Sequence, residues 1–245
     1  MFESKYFYMR IWGDYGLFSS AHSKPGGDKS SYLVPTKSAL QGIADSCYFK
    51  PTFINRIDEV KVINEIKTET MGARTLMMNG SNDLNSYTMI KSPEYLVKFH
   101  FEWNLDREDL AQDRNIKKHE AIMKRSLKKG GRRDIFLGTR ECYGFVEKID
   151  KVEYEQAKSF YEGQNLSFGI MFSEFIYPTD PGEELISCFT SINMKDGVIT
   201  FKDSKDCEIK NTLDTYSFKY PDEIKSVDKE YEEYENFEDG GLWMH

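Results

Sequence analysis

Apolar and polar residues alternate along several stretches of the chain and recur at helical spacing along two others. In Tyr95 to Trp103, the residues Tyr95, Val97, Phe99, Phe101 and Trp103 share one face, and Leu96, Lys98, His100 and Glu102 share the other. This is the clearest strand in the sequence. Lys5 to Phe18 alternates aromatics with polar groups around Tyr6, Tyr8, Arg10 and Trp12 and predicts a first strand, with Gly13-Asp14-Tyr15-Gly16 punctuating its end. Glu59 to Thr70 alternates as well, and Glu141 to Lys148 predicts a further short strand. Ala39, Leu40, Ile43, Ala44 and Cys47 follow a helical period. Pro35-Thr36 opens that helix, Lys50-Pro51 stops it, and Tyr48 falls at its last turn. A second helix carries Ile116, Met123 and Leu127 on one stripe, with Asp113 and Asn115 as N-cap candidates and Gly130-Gly131 as its stop.

The resulting order, β-α-β-β-α-β, is the plan of a ferredoxin-like (RRM-like) α+β domain over residues 1–150. Gly72 to Ser86 is a polar excursion read as a hairpin or flexible thumb, and Lys24 to Asp28 is a loop by composition. Beyond residue 150 the pattern changes. Ser167 to Tyr177, Leu185 to Met194 and Val198 to Phe201 are strand-like, and Lys195-Asp196-Gly197 marks a tight hairpin. Residues 151–220 therefore read as a small antiparallel β domain without a helix, and 221–245 as an acidic tail.

Composition narrows the classes. Charged residues make up 30% of the 245, apolar residues 39% and aromatics 14%, which fits a folded globular chain rather than a disordered one. With no run of eighteen apolar residues and no signal-peptide layout, the expected location is cytoplasmic and no membrane partner is expected. The four cysteines are widely spaced, so reduced and mostly buried thiols are expected rather than zinc or redox chemistry. The net charge of −8 divides unevenly. Residues 1–150 hold 24 Lys and Arg against 20 Asp and Glu, or +4, whereas 151–245 hold 9 against 21, or −12.

Ten of the basic residues crowd into Arg114 to Arg140. The helix positions Lys117 and Arg125, the loop Lys128-Lys129-Gly130-Gly131-Arg132-Arg133, and Arg140 are the candidate RNA contacts. Clustered cations bind phosphates, and glycines permit close backbone approach with exposed N–H groups. The loop is not a Walker motif. His119 lies three residues after Ile116 and four before Met123, the position of a half-buried core histidine. Lys118 points to a different part of the helix surface, unless the two fall in a first turn. No H-x-x-x-H or carboxylate cluster suggests a metal, so neither metal nor cofactor is expected. Residue types alone support an RNA-binding domain with one histidine available for chemistry.

Gly13–Phe18 (GDYGLF), Ser31–Phe53, Phe99–Asn104 (FHFEWN), the Lys118-His119 pair and Lys128–Gly144 (KKGGRRDIFLGTRECYG) together resemble the CRISPR-associated Cas-five family, specifically its d-type members of subtype I-C. The resemblance runs from about Tyr6 to Phe218 and leaves the acidic tail outside. It implies a ferredoxin-like domain followed by a small β domain. It also implies a metal-independent endoribonuclease that binds the CRISPR repeat hairpin and cuts pre-crRNA at the stem base by 2′-OH attack, leaving a 2′,3′-cyclic phosphate. The implied catalytic residues are Tyr48, Lys118 and His119. The implied partners are the mature crRNA 5′ handle and the backbone and large subunits of the type I-C interference complex. The alternative is a non-catalytic subunit that caps the 5′ handle. On residue chemistry His119 suits acid–base work and Lys118 stabilises phosphate charge. Tyr48 serves as a base only if a neighbour such as Lys118 depresses its pKa.

Overall fold

The computed structural model describes residues 3–20, 27–76, 78 and 80–217. The first-half order is β1 (Phe7–Gly13), β2 (Tyr15–Gly16), β3 (Lys29–Ser30), α1 (Lys37–Cys47), β4 (Phe53–Val62), β5 (Lys67–Leu76), β6 (Asn82–Lys91), β7 (Glu94–Trp103), α2 (Ile116–Lys128), β8 (Ile135–Phe136) and β9 (Tyr143–Ile149). The second half adds α3 (Lys151–Gln156), β10 (Asn165–Ile176), β11 (Glu183–Lys195), β12 (Val198–Thr200) and β13 (Ile209–Tyr216). Strands dominate and helices are few. Among the described residues no helix is long and apolar enough to cross a membrane.

The central strands lie in the order β9-β1-β7-β4, all antiparallel, with α1 between β1 and β4 in sequence and α2 between β7 and β9. Met9, Ile11, Val97, Phe99 and Phe101 turn from this sheet into one core with Leu40, Ala44 and Cys47 of α1 and Met123 and Leu127 of α2. Burying a side chain such as Leu127, which is 1% exposed, contributes about 1.5–3 kcal/mol. The opposite face is partly covered: Leu96 and Ile149 pack with Tyr154 of α3. Leu96 is buried for that reason, whereas His100, on the same polar-looking side of the alternation, is buried against the Tyr6 ring with its Nδ1 2.9 Å from Asp58 Oδ2.

Three expectations change here. The strand predicted over Glu59–Thr70 is two: β4 ends at Val62 and β5 begins at Lys67. Between them Ile63 N–H donates to Glu94 O at 3.0 Å and the Asn64 amide to Ser92 O at 3.1 Å, turning the chain out of the large sheet. The excursion after it is a hairpin of two ten-residue strands, β5 and β6, in a second, four-stranded sheet. The second half also contains a helix. Asp150 and Glu153 form a capping box on α3, each side chain meeting the other's backbone N–H. Finally, its strands do not form a sheet of their own. β12 pairs with β4, so β10, β11, β12 and β13 extend the same nine-stranded sheet. A buried ion pair, Lys37 Nζ to Glu174 Oε1 at 2.8 Å, ties α1 to β10. The hairpin at 195–197 is present: Asp196 and Gly197 take φ of +52° and +80°, the two left-handed residues of a tight primed turn. His22, His245, Lys24–Gly26 and the acidic tail lie outside the described residues.

Candidate active site

α1 stops at Cys47 because the backbone turns extended at Tyr48 (φ −158°, ψ 116°). That turn sends the Tyr48 ring toward the start of α2. Asn115 caps α2, its side chain accepting from Lys118 N–H at 3.1 Å, so Lys118 and His119 fall in the first turn. There the Tyr48 hydroxyl lies 2.8 Å from His119 Nδ1, and His119 Nε2 lies 2.7 Å from the Asp113 carbonyl oxygen. A carbonyl only accepts, so Nε2 carries the hydrogen and Nδ1 of the neutral ring accepts from the tyrosine. Tyr48 is 1% exposed and His119 0%, enclosed by the rings of Phe53, Phe101 and Trp103.

Lys118 reaches the same place from the surface. Its ammonium lies 2.5 Å from Asp113 Oδ1, while Thr52 Oγ1 donates to Asp113 Oδ2 at 2.8 Å and His119 Nε2 stands 3.5 Å from that oxygen. Asp113 thus joins Lys118 and His119, and through His119 it reaches Tyr48, yet it stood out in the sequence only as a cap candidate, a role that Asn115 takes. The Lys118 hydrogen bond, then that of Thr52, holds the Asp113 carboxyl below the usual range. The same bond raises Lys118, which stays an ammonium. Tyr48 shifts the other way from what base chemistry asked: burial raises its pKa and outweighs the charges of Arg132 and Lys118. The free phenolate is therefore not the resting state.

The glycine loop also differs from expectation. Gly130 and Gly131 have φ of +82° and +99°, the conformation that ends a helix. Their N–H groups donate to Leu127 O and Ser126 O, and those of Arg132 and Arg133 both donate to Ser46 O. The loop backbone is spent on closing α2 and fastening it to the end of α1, where Ser126 Oγ also donates to Cys47 O. It offers no free N–H cradle. What it presents is side chains. Lys117, Arg125, Lys128, Lys129, Arg132 and Arg133 are exposed, with Gly130 exposed and Gly131 half-buried between them. Lys117, Arg125 and Lys128 share one outer stripe of α2 by helical spacing. The Arg132 guanidinium stands 4.8 Å over the Tyr48 ring. Arg140 is exposed in the turn between β8 and β9, apart from the helix stripe. A separate open cleft of about 880 Å³ runs between α1 and β10, lined by Asp45, Arg56, Arg107 and Tyr177 but by none of the trio.

A strand-rich α+β sheet, two helices on one face, and a cationic helix end that closes over a buried tyrosine–histidine pair define a class: a protein shaped to meet a polyanion beside groups able to move protons. Comparison with known proteins narrows that class. The family model described as "CRISPR-associated protein (Cas_Cas5)" matches residues 7–202. The chain belongs to the Cas5d family of CRISPR-associated proteins. Among relatives, it is 27% identical over 185 residues to a protein of Thermus thermophilus named CRISPR pre-crRNA endoribonuclease Cas5d, covering 71% of this chain and 75% of that one. Among solved structures, it is 51% identical, with a TM-score of 0.75, to a functionally uncharacterized protein of Streptococcus mutans, covering 86% of this chain and 100% of that one. A crystal structure titled only as a CRISPR-associated protein is 49% identical with a TM-score of 0.76, covering 86% and 99%.

Proposed function

We propose that this protein is a pre-crRNA endoribonuclease that cuts without metal participation, through Tyr48, His119 and Lys118, and stays with the crRNA 5′ handle in a type I-C interference complex. The observation that carries this reading is the 2.8 Å contact between the Tyr48 hydroxyl and His119 Nδ1, with Lys118 tied beside it through Asp113. The family membership and the name of the Thermus relative support the substrate class.

The geometry favours a relay. Tyr48 oxygen takes the 2′-OH proton as the phenolic proton passes to His119 Nδ1, so the buried phenol never carries a full charge. The 2′-oxygen bonds to phosphorus as the P–O5′ bond breaks, giving a 2′,3′-cyclic phosphate. The leaving O5′ takes a proton from the Lys118 ammonium, which also faces the developing phosphorane charge. Asp113 stabilises the imidazolium that forms. Solvent returns the proton to Lys118 and removes the one on His119.

Both rings are buried, so RNA has to open the site. Arg132 is the cover suited to that. A cation–ring contact contributes about 0.5–1 kcal/mol at an exposed site, against about 1.5–3 kcal/mol for a hydrogen bond to a charged group. A phosphate therefore draws Arg132 off Tyr48. The cations of the α2 stripe and loop hold the strand as that happens. The β9-β1-β7-β4 order, with helices in its crossovers, supports a ferredoxin-like unit over residues 1–150. The pairing of β12 with β4 fastens the described residues after 150, 151–217, to it as an antiparallel extension.

Deoxy substitution at the ribose 5′ to the cut is the test. Cleavage of repeat RNA stops while binding persists, and it continues on unmodified RNA in excess chelator. Full cleavage of the deoxy substrate sinks the mechanism. The closure of the trio favours one second reading, a capping subunit that holds the handle without cutting. Tight binding with intact repeat RNA after prolonged incubation would favour that reading.

A further inference from the structure

Three side chains outside the trio converge on the other face of β7. Glu3, His100 and Glu102 each offer one ligand atom, and the three atoms lie within 4.8 Å of one another. We propose that they hold a divalent transition-metal ion, with zinc the ion this donor set fits best, pinning the chain around Glu3 to β7.

The argument rests on His100. It is 7% exposed, and its Nδ1 lies 2.9 Å from Asp58 Oδ2. An ionised carboxylate only accepts, so Nδ1 carries the hydrogen, and the nitrogen that offers a lone pair once it gives up its own proton is Nε2. That nitrogen is buried and has no hydrogen-bond partner. It faces Glu102 Oε1 at 3.7 Å, too long for a hydrogen bond. A carboxylate behind an imidazole whose other nitrogen faces further carboxylates is the arrangement in which outer carboxylates orient metal-binding histidines.

The remaining contacts fit the same role. Arg56 Nε holds Glu102 Oε2 at 3.1 Å, which leaves Oε1 toward the cluster. Glu3 bridges to Glu102, and Ser4 exchanges hydrogen bonds with Phe101, so the backbone under Glu3 is fixed while its side chain is exposed. Bonds of about 2.0–2.2 Å place tetrahedral ligand atoms roughly 3.3–3.6 Å apart. The His100 to Glu102 spacing is already close to that, and the Glu3 side chain closes the rest. One imidazole and two carboxylates suit zinc better than a hard ion bound by oxygen alone, with water completing the shell. The competing occupant is a proton on Nε2. It finds no acceptor at hydrogen-bond distance, whereas a cation between the three atoms engages all of them. His119 packs against Phe101, whose side chain points to the opposite face of β7, so the ion is structural.

Full-length protein, stripped with chelator and dialysed, is titrated with zinc chloride by calorimetry, and with cobalt(II) followed by visible absorption. One equivalent binds and raises the melting temperature. The cobalt form shows ligand-field bands without a thiolate charge-transfer band. Asp58→Asn weakens zinc binding about 10- to 100-fold, and Glu3→Gln, at an exposed position, weakens it at least about 10-fold on the same grounds. Absence of zinc binding, affinity unchanged in both Glu3→Gln and His100→Gln, or a thiolate band assigning the ion to cysteine would each overturn the proposal.

Discussion

Tyr48→Phe removes one oxygen atom and little else. The ring stays in its pocket against Phe53 and beneath Arg132, so the cation–ring contact survives. The loss is the hydroxyl at 2.8 Å from His119 Nδ1. If Tyr48 relays the 2′-OH proton, the cleavage rate falls by about 10²–10⁴, equivalent to about 2.7–5.5 kcal/mol of transition-state stabilisation. Nδ1 is then a buried acceptor without a donor, which costs about 1–3 kcal/mol of stability. For a chain of this size that lowers Tm by roughly 2–12 °C. RNA affinity holds within about twofold because the hydroxyl is buried and the cations are untouched, a separation that follows from positioning contacts being electrostatic. The assay is single-turnover cleavage of repeat RNA with protein in excess, which reads chemistry rather than product release, beside anisotropy binding at the same salt. A variant that melts lower yet cleaves within about threefold of the parent would refute the reasoning, because the hydrogen bond would then be structural and the hydroxyl idle.

Two further outcomes follow from the same geometry. Arg132→Ala removes one exposed cation, so the slope of log affinity against log salt flattens by about 0.7–0.9; an unchanged slope in titrations from low to moderate salt removes Arg132 from the RNA contact. In metal-free protein, burial opposes the charging of His100, but the Asp58 hydrogen bond and the charges of Asp58, Glu102 and Glu3 raise its pKa overall. A folded pKa above the unfolded value of 6.5 gives stability that is full below that pH and is lost as pH rises through the folded pKa. Asp58→Asn therefore destabilises more at pH near 6 than near 9 in urea unfolding with chelator present, and equal destabilisation at both would contradict the assignment.

Much of the candidate site was legible as residues and little of it as geometry. His119 stands out beside ten nearby cations, and the apolar stripe of α2 correctly marks it as buried. The resemblance added Tyr48 and Lys118. Nothing in the pattern marked Asp113 as the partner of both Lys118 and His119, because an aspartate that joins a lysine, a histidine and Thr52 is indistinguishable in sequence from a cap. The glycine loop misled in a specific way. Two glycines among four cations match a phosphate cradle and a helix stop equally well, and the Ser46 carbonyl decides between them by taking two of the loop's N–H groups. The capping box Asp150–Glu153 was readable and would have found α3.

By itself the sequence determined what local solvent exposure determines: alternation in β1 and β7, helical period in α1 and α2, and the turns whose backbone requires glycine or aspartate. These follow from side-chain periods of 2 and 3.6, which act over a few neighbouring residues. Tertiary structure alone decided which segments meet. Tyr48 and His119 are 71 positions apart, β12 reaches β4 across the two halves of the chain, and Glu3 and His100 lie near opposite ends of the first hundred residues. Such encounters depend on strand register and helix packing summed over the whole core. A pattern that reports only whether each residue is buried carries no record of its partner.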